Sequence, residues 1–231
     1  MPNVLYFTIR TSIDQGLGII TDALNNVYVT GFYISNPVTI NSFGSVSSGT
    51  VNVTSYGTLT NIGSSDVFIV KYNTLGIVQW ATRIGGVNSE QGSAITTDTS
   101  GNVYVTGSYS SNPVTINSFG SVSGGFITVT PYGILGNVGI NNVFIVKYNT
   151  SGIAQWATRI GGINNDIGFA ITTDILNNVY VTGSYSSNPV TINSFGSVLG
   201  GIIDVTPYGT LANAGSIDVF IVKYDTNGQI L

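Results

Sequence analysis

The carboxylates are the side chains of this sequence whose types and spacing could do chemistry. Six of the ten fall into pairs that are eight residues apart: Asp14 with Asp22, Glu90 with Asp98, and Asp166 with Asp174. Two carboxylates that flank a scissile bond are the catalytic pair of a glycosidase. A catalytic site normally occurs once in a chain, however, whereas these pairs recur at a fixed interval. We therefore interpret the second member of each pair as a turn cap that accepts backbone N–H groups.

The sequence lacks the residues that other common catalytic mechanisms need. The 231 residues include no His and no Cys, and only 7% are charged, against about 25% in an ordinary soluble domain. Ser/His and Cys/His nucleophiles and His/Cys zinc sites are therefore excluded. The Gly-Gly pairs do not fit a phosphate-binding loop, and no segment has the closely spaced carboxylates of an EF-hand. We expect a protein that is not an enzyme and that has no cofactor or metal.

Basic residues are few and regularly placed. Lysines occur at equivalent places, as do arginines: Lys71, Lys147 and Lys223, then Arg83 and Arg159, with Arg10 near the second set. We expect the lysines to lie along the sheet and to reach a carboxylate or a carbonyl. Asp66 and Asp218 also match, while Asn142 replaces the carboxylate between them. The net charge of −4 comes without a basic cluster, so nucleic acid is not an expected partner.

The aromatic residues form two groups. Trp80 and Trp156 have apolar neighbours, with Tyr6 at a similar place, and are predicted to fill space between structural units. Six others lie in segments rich in Asn, Ser and Thr that we predict to be loops: Tyr56, Tyr132, Tyr208, Phe43, Phe119 and Phe195. Such rings either stack on a glycan or anchor their own long loops. Both interpretations stay open at this point.

A repeat of 76 residues positions all of these groups. Val-Tyr-Val-Thr-Gly begins at Val27, Val103 and Val179, and a twelve-residue string that begins with Ser-Asn-Pro recurs unchanged at the same interval. The chain is therefore predicted to be a single domain of three repeats, at about 1–76, 77–152 and 153–231.

Each repeat has the alternating apolar pattern of short antiparallel strands. In the middle copy the strands are predicted near Ala94–Asp98, Asn102–Tyr109, Asn142–Asn149 and Ile153–Ile160. Residues 110–140 form an insert between the second and third strands, and its apolar runs suggest a hairpin or a loop. No segment has helical periodicity. Four short antiparallel strands per repeat are typical of the blades of a β-propeller.

The strand segments also resemble a known family. The run from Asp66 to Gly86, followed by Ala94-Ile95-Thr96-Thr97-Asp98 and Gly101-Asn102-Val103-Tyr104-Val105-Thr106-Gly107, is similar to the SBBP-type β-propeller repeat of bacterial and giant-virus proteins. The resemblance covers the four-strand part of each repeat and implies a propeller fold. It implies no particular activity, and the insert departs from the family pattern.

Closure of the propeller is the open structural question. Residues 4–10 match the missing fourth strand of the last repeat, and propellers usually need four to eight blades. Two copies that exchange this strand would form a six-bladed ring. The alternatives are one chain closed as a pseudo-threefold β body and an open, filament-like assembly.

We therefore expect an all-β structural or interaction protein that works through assembly and surface contact, including a place on a virion or other particle surface. Its expected partners are a second copy of itself and either a glycan or another particle protein. The alternative is a multivalent, lectin-like module that uses the inserts. Residues 1–10 have neither the pattern of an export signal nor that of a membrane span.

Overall fold

A computed structural model describes residues 13–231, and all the regular secondary structure in that range is β-strand. No helix in this range is long and apolar enough to cross a membrane. The predictions that concern residues 4–10, Tyr6 and Arg10 lie outside the described residues. The all-β prediction is confirmed.

The strands recur with the spacing of the three repeats, and each structural repeat is counted here from its first strand, so that its last strand lies just beyond the predicted boundary at residue 76 or 152. The first repeat contains β1 (Gln15–Thr21), β2 (Val27–Tyr33), β3 (Val38–Ser47), β4 (Thr50–Leu59), β5 (Asp66–Tyr72) and β6 (Val78–Gly85). The second contains β7 (Glu90–Thr97), β8 (Val103–Tyr109), β9 (Val114–Ser123), β10 (Phe126–Leu135), β11 (Asn142–Tyr148) and β12 (Ala154–Gly161). The third contains β13 (Asp166–Thr173), β14 (Val179–Tyr185), β15 (Val190–Leu199), β16 (Ile202–Leu211) and β17 (Asp218–Tyr224).

Four strands of each repeat form an antiparallel blade. The first blade has the order β1-β2-β5-β6, and the second has the order β7-β8-β11-β12. The third shows β13-β14-β17 in the described part of the chain. The third strand of a blade, such as Val-Phe-Ile-Val in β11, is buried on both faces, because one face packs on the following blade and the other on the hairpin of its own repeat. This arrangement confirms the propeller-like blades that the repeat predicted.

The predicted strands of the middle repeat match the observed ones closely. Two of them differ by one residue at one end and a third by one residue at both ends, while β7 starts at Glu90 rather than at Ala94 and ends one residue earlier than predicted. Apolar alternation is lost over Glu90–Ser93, where a β-bulge lies between Gly92 and Ala94. The predicted turns are also present, since Gly101 and Gly152 both have φ of +77°, a conformation that glycine adopts without strain.

The inserts are hairpins that project from the blades. Each pairs two ten-residue strands, such as β9 with β10. The first strand of the hairpin also pairs with the last strand of the preceding blade, through Ile84 with Ile116 and Ile160 with Ile192. The hairpins thereby tie one repeat to the next.

Neighbouring hairpins also meet tip to base. The backbone N–H of Thr58 donates to the carbonyl of Gly125 at 3.0 Å, and that of Ile134 donates to Gly201 at 2.8 Å. The tip of each hairpin therefore covers the base of the hairpin before it. In the third hairpin, by contrast, a Cβ built on Gly209 would have no neighbour within 4 Å.

Blades pack through the first strand of each following blade. A Cβ built on Gly92 of β7 would lie 2.5 Å from Oγ1 of Thr30 and 2.7 Å from Cγ1 of Val67. Gly168 of β13 has the same relation to the second blade. Apolar side chains of both blades fill the rest of this boundary, including Trp80, which is 3% exposed. The prediction that Trp80 and Trp156 fill space between blades is confirmed.

The three blades do not close on one another within residues 13–231. Val219 and Ile221 on the last strand of the third blade are 72% and 76% exposed. Their equivalents in the first blade, Val67 and Ile69, are fully buried under the second blade. A self-closed pseudo-threefold body would cover these residues, so the described part of the chain is an open set of blades.

Candidate interaction surfaces

The aspartates at the end of each first strand are turn caps, as predicted. Oδ1 of Asp98 accepts the backbone N–H groups of Ser100 and Asn102 at 2.9 Å. Its Oδ2 accepts from the Asn102 amide at 2.8 Å and from the Tyr104 hydroxyl at 2.9 Å. Asp22 and Asp174 make the same set of bonds. These carboxylates close the turn between the first and second strands of each blade.

The two carboxylates of each repeat do not form a glycosidase pair. Glu90 starts β7 and Asp98 directly follows its end, so eight extended residues separate them by about 26 Å. A catalytic pair needs a separation of about 5 to 10 Å. The strand that joins the two carboxylates therefore keeps them at opposite ends of the blade. In residues 13–231, moreover, no group of three or more acidic side chains is placed to hold a metal ion.

The carboxylates at the start of the first strands join neighbouring repeats. Oε2 of Glu90 accepts the N–H of Gly86 at 2.8 Å, and Oε1 accepts that of Ser111 at 3.1 Å. Asp166 makes the equivalent bonds to Gly162 and Ser187. Burial raises the pKa of Glu90 above its ordinary value, although these hydrogen bonds oppose the shift. Both side chains are buried at the boundary between two blades.

Lys71 and Lys147 lie on tyrosine rings and reach carbonyls, which confirms the structural role predicted for them, and Lys223 lies on the ring of Tyr180. Nζ of Lys147 lies 5.4 Å from the centroid of the Tyr104 ring and donates to the carbonyl of Thr226 at 2.9 Å. Lys71 contacts Tyr28 and Thr150 in the same way. Burial lowers the pKa of both lysines, and nearby aspartates oppose that shift.

The six aromatic residues of the inserts lie in strands, so their predicted placement in loops was wrong. In the inserts, apolar residues alternate with Asn, Ser and Thr. This polar alternation still forms a hairpin, and its two strands pair along most of their length. The phenylalanines are half-buried and each backbone N–H donates to a turn glycine: Phe43 to Gly76, Phe119 to Gly152 and Phe195 to Gly228. The phenylalanines therefore sit where each hairpin joins its blade.

The tyrosines of the inserts differ from one another. The hydroxyls of Tyr56 and Tyr132 donate to the carbonyls of Gln79 and Gln155, at 2.9 and 2.6 Å. Tyr208 is 66% exposed. No hairpin of residues 13–231 packs on the base of the third one, and the Tyr208 ring lies on the surface.

The exposed apolar residues of the third blade form the clearest candidate surface. We define the third-blade face as Thr182, Val219 and Ile221, the equivalents of three residues that the next blade covers elsewhere in the chain. We define the first-blade edge as Gly16 and Ile19 of β1. Ile19 is 64% exposed, whereas its equivalents Ile95 and Ile171 are 6% and 8% exposed. The third-blade face and the first-blade edge are thus the two halves of one repeated boundary.

Comparison with known proteins identifies the repeats. Residues 79–112 and 155–188 match a family model described as SBBP, a beta-propeller repeat. The two matched segments are SBBP-type β-propeller repeats. Both matched segments run from the last strand of one blade through the first two strands of the next blade and end just before its hairpin, and so contain the packing strands β7 and β13. The resemblance that the sequence suggested is confirmed.

A viral protein is similar to this chain over almost the whole length of the chain. It is described as an uncharacterized WD repeat-containing protein of Acanthamoeba polyphaga mimivirus and is 31% identical over 242 residues, which cover 94% of this chain. The chain spans only 16% of that relative's length. The giant-virus resemblance of the SBBP-type repeats is therefore supported.

Sequence reasoning missed the third-blade face because Val67, Val143 and Val219 are all followed by the same sequence, Phe-Ile-Val-Lys-Tyr. They differ only in whether a blade follows them. The available signal was positional, since the first and last members of a repeat array lack one neighbour each.

Proposed function

We propose that this SBBP-type chain is a non-enzymatic interaction protein that assembles through its own blades. The third-blade face of one copy accepts the first-blade edge of a second copy, and two such contacts close a ring of six blades. The observation that carries this proposal is the exposure of Val219 and Ile221 at positions where the equivalent residues are fully buried.

The chain itself supplies the pattern for this contact. The same blade boundary occurs twice within the chain, with Gly92 on Val67 and Gly168 on Val143. A third boundary of this kind would place Gly16 on Val219 and would cover Ile221. Burying one Val or Ile side chain contributes about 1.5 to 3 kcal/mol. The base of the third hairpin would then receive the tip of the first hairpin of the second copy.

The solution mass tests this proposal. Light scattering is expected to give a mass near twice 24.2 kDa, and Ile221→Lys is expected to reduce it to the single-chain value. The matched control is Val87→Lys, because Val87 is also exposed but lies at an internal boundary. A wild-type mass near 24.2 kDa at all concentrations would refute the ring, and a mass that grows continuously would indicate an open filament instead.

Exchange of residues 4–10 between copies is a separate part of the proposal. A variant that lacks residues 1–10 is expected to lose the double mass if this segment completes the partner's last blade. A truncated chain that keeps the double mass would show that the third-blade face suffices and would refute strand exchange.

Glycan binding is the second candidate function, and the exposed Tyr208 ring favours it. Exposed aromatic rings beside amide and hydroxyl groups can stack on sugars. A glycan array would test this candidate, with Tyr132→Ala and Tyr208→Ala combined as the variant. Loss of sugar binding at an unchanged solution mass would support this candidate. Unchanged sugar binding would show that Tyr132 and Tyr208 are not part of a glycan site.

A place on a virion or other particle surface is the cellular role that we propose for such an assembly. The mimivirus relative and the repeat architecture support this role. Protein mass spectrometry of purified particles from the source of this sequence tests it, and absence of the chain from intact particles would contradict it.

A further inference from the structure

One equivalent position breaks the repeat in the buried boundary between blades. Asp66 in the first repeat and Asp218 in the third correspond to Asn142 in the second. Oδ2 of Asp66 lies 3.6 Å from Nη1 of Arg83. Arg159 is the equivalent arginine, and no carboxylate of residues 13–231 lies within 4.0 Å of its nitrogens. The second repeat therefore keeps the cation and lacks its acidic neighbour.

Asn142 keeps the hydrogen bond that Asp66 accepts from the backbone four residues earlier, but it does not supply the negative charge of the aspartate. Its Oδ1 accepts the N–H of Val138 at 3.0 Å, and its Nδ2 donates to the carbonyl of Gly162 at 3.2 Å. An amide also carries no charge to balance the guanidinium. The exchange of Asp for Asn thus changes the charge beside Arg159 without removing the local fold.

Arg159 lines a cavity of about 360 Å³ between the end of β12 and the third hairpin. This volume is at the lower end of the range for sites that bind small molecules. Polar groups of Asn188, Thr191 and Asn193 line the cavity, together with Pro189 and Pro207. A fixed cation, two amides, a hydroxyl and two apolar rings therefore face one space.

The protein holds the guanidinium firmly but leaves part of its donor capacity unused. Nη1 of Arg159 donates to the carbonyl of Gly136, and its Nε, like that of Arg83, is buried without a hydrogen-bond partner. The nearby Asp166 carboxylate is occupied by Ser186, Ser187 and Gly162, which together donate four hydrogen bonds. Asp166 is therefore not available as the partner of Arg159.

We propose that this cavity binds a small hydroxylated carboxylate, such as a uronic acid. The ligand carboxylate pairs with Arg159, because the planar guanidinium matches a carboxylate in shape and charge. The hydroxyls of the ligand bond to the amide and hydroxyl groups of Asn188 and Thr191, and its ring packs on the prolines. This site does not depend on the assembly of blades into a ring.

The first repeat boundary is a built-in control for this site. It contains the same polar and proline residues at equivalent positions: Arg83, Asn112, Pro113, Thr115, Asn117 and Pro131. Its main difference is Asp66, whose carboxylate already lies beside the arginine. The proposal therefore predicts that Asn142→Asp closes the Arg159 site and that Asp66→Asn opens a second site at Arg83.

Backbone amide NMR with glucuronate as the probe tests this proposal, at about pH 8 so that Asp66 is ionised. Glucuronate is expected to shift the amides of Gly161 and Gly162, and neutral glucose is not. Asn142→Asp is expected to weaken this binding by about tenfold or more. In Asp66→Asn, Gly85 and Gly86 are expected to shift as well.

Three results would overturn the proposal. Glucose could shift the amides as strongly as glucuronate, inorganic phosphate could bind as tightly as glucuronate, or Asn142→Asp could leave binding unchanged. The last variant is expected to fold, because aspartate already occupies the equivalent position in the other two repeats. Arg159→Gln is a second variant, and it is expected to lose the glucuronate response.

Discussion

Lys147 and Trp156 donate hydrogen bonds to the same carbonyl oxygen, that of Thr226, over 2.9 and 3.0 Å. Lys71 and Trp80 share the carbonyl of Thr150 in the same way. The acceptor belongs in each case to the turn that follows the third strand of the next blade. Two side chains of one blade therefore hold the turn of the next blade at a fixed distance.

Lys147→Met is expected to lower the free energy of unfolding by about 1 to 2 kcal/mol. The substitution removes both the bond to Thr226 and the contact with the Tyr104 ring. Chemical denaturation followed by tryptophan fluorescence measures the change. The control is Lys223→Met, since Lys223 contacts only a ring, that of Tyr180, in the described part of the chain, and a smaller loss is expected. A folded Lys147→Met variant of unchanged stability but altered ligand binding would contradict the structural role.

Asp98→Ala is expected to destabilise the protein by about 1 to 3 kcal/mol, because it leaves two backbone N–H groups, one amide and one buried hydroxyl without their acceptor. Asp98→Asn is the matched variant and is expected to recover part of the loss, since an amide oxygen still accepts from the turn. Thermal unfolding of both variants measures the effect. Equal stability of the alanine variant and the wild type would exclude the turn-cap role.

Asp66 is expected to make stability fall as the pH rises. Burial raises its pKa to about 7, and the like charge of Glu90 adds to this effect, while Arg83 and the N–H of Ile62 oppose it. The folded pKa exceeds the ordinary value of 3.8. Its contribution is therefore fully present below about pH 4 and is lost progressively up to about pH 7.

Asp66→Asn tests this pH dependence directly. The variant reproduces the Asn142 of the second repeat and is expected to gain stability relative to the wild type at about pH 8, with a smaller gain at about pH 4. Unfolding curves at several pH values give the difference. A difference that is constant with pH would show that Asp66 does not titrate between the two values.

Alanine substitutions of the glycines at the start of the blades are expected to distinguish effects on folding from effects on assembly. Gly92→Ala should destabilise the single chain by about 1 to 3 kcal/mol, since its Cβ would lie 2.5 Å from Thr30 Oγ1. Gly16→Ala should leave the single chain folded, because its Cβ would meet only Val29, at 3.8 Å. If a second copy packs there, Gly16→Ala is expected to reduce the solution mass. Full retention of a double mass in this variant would place the contact elsewhere.

The sequence by itself determined the units of this fold. The spacing of 76 residues between Val27, Val103 and Val179 fixed the number of repeats, and alternation in each repeat predicted the blade strands to within a few residues. These features are local, because strand pairing within a blade and a cap such as Asp98 depend on residues close in sequence. The predicted lysine and tryptophan roles also followed from the repetition of these residues in every blade.

Only the tertiary structure decided which residues of the same type and repeat position also have the same surroundings. Val67 and Val219 have the same neighbours in sequence, yet one is fully buried and the other is 72% exposed. Likewise Arg83 and Arg159 recur at the same place, and only the packing shows that Asn142 leaves the second one beside a cavity without a carboxylate. Burial depends on what lies across a boundary between blades, and residues distant in sequence determine it.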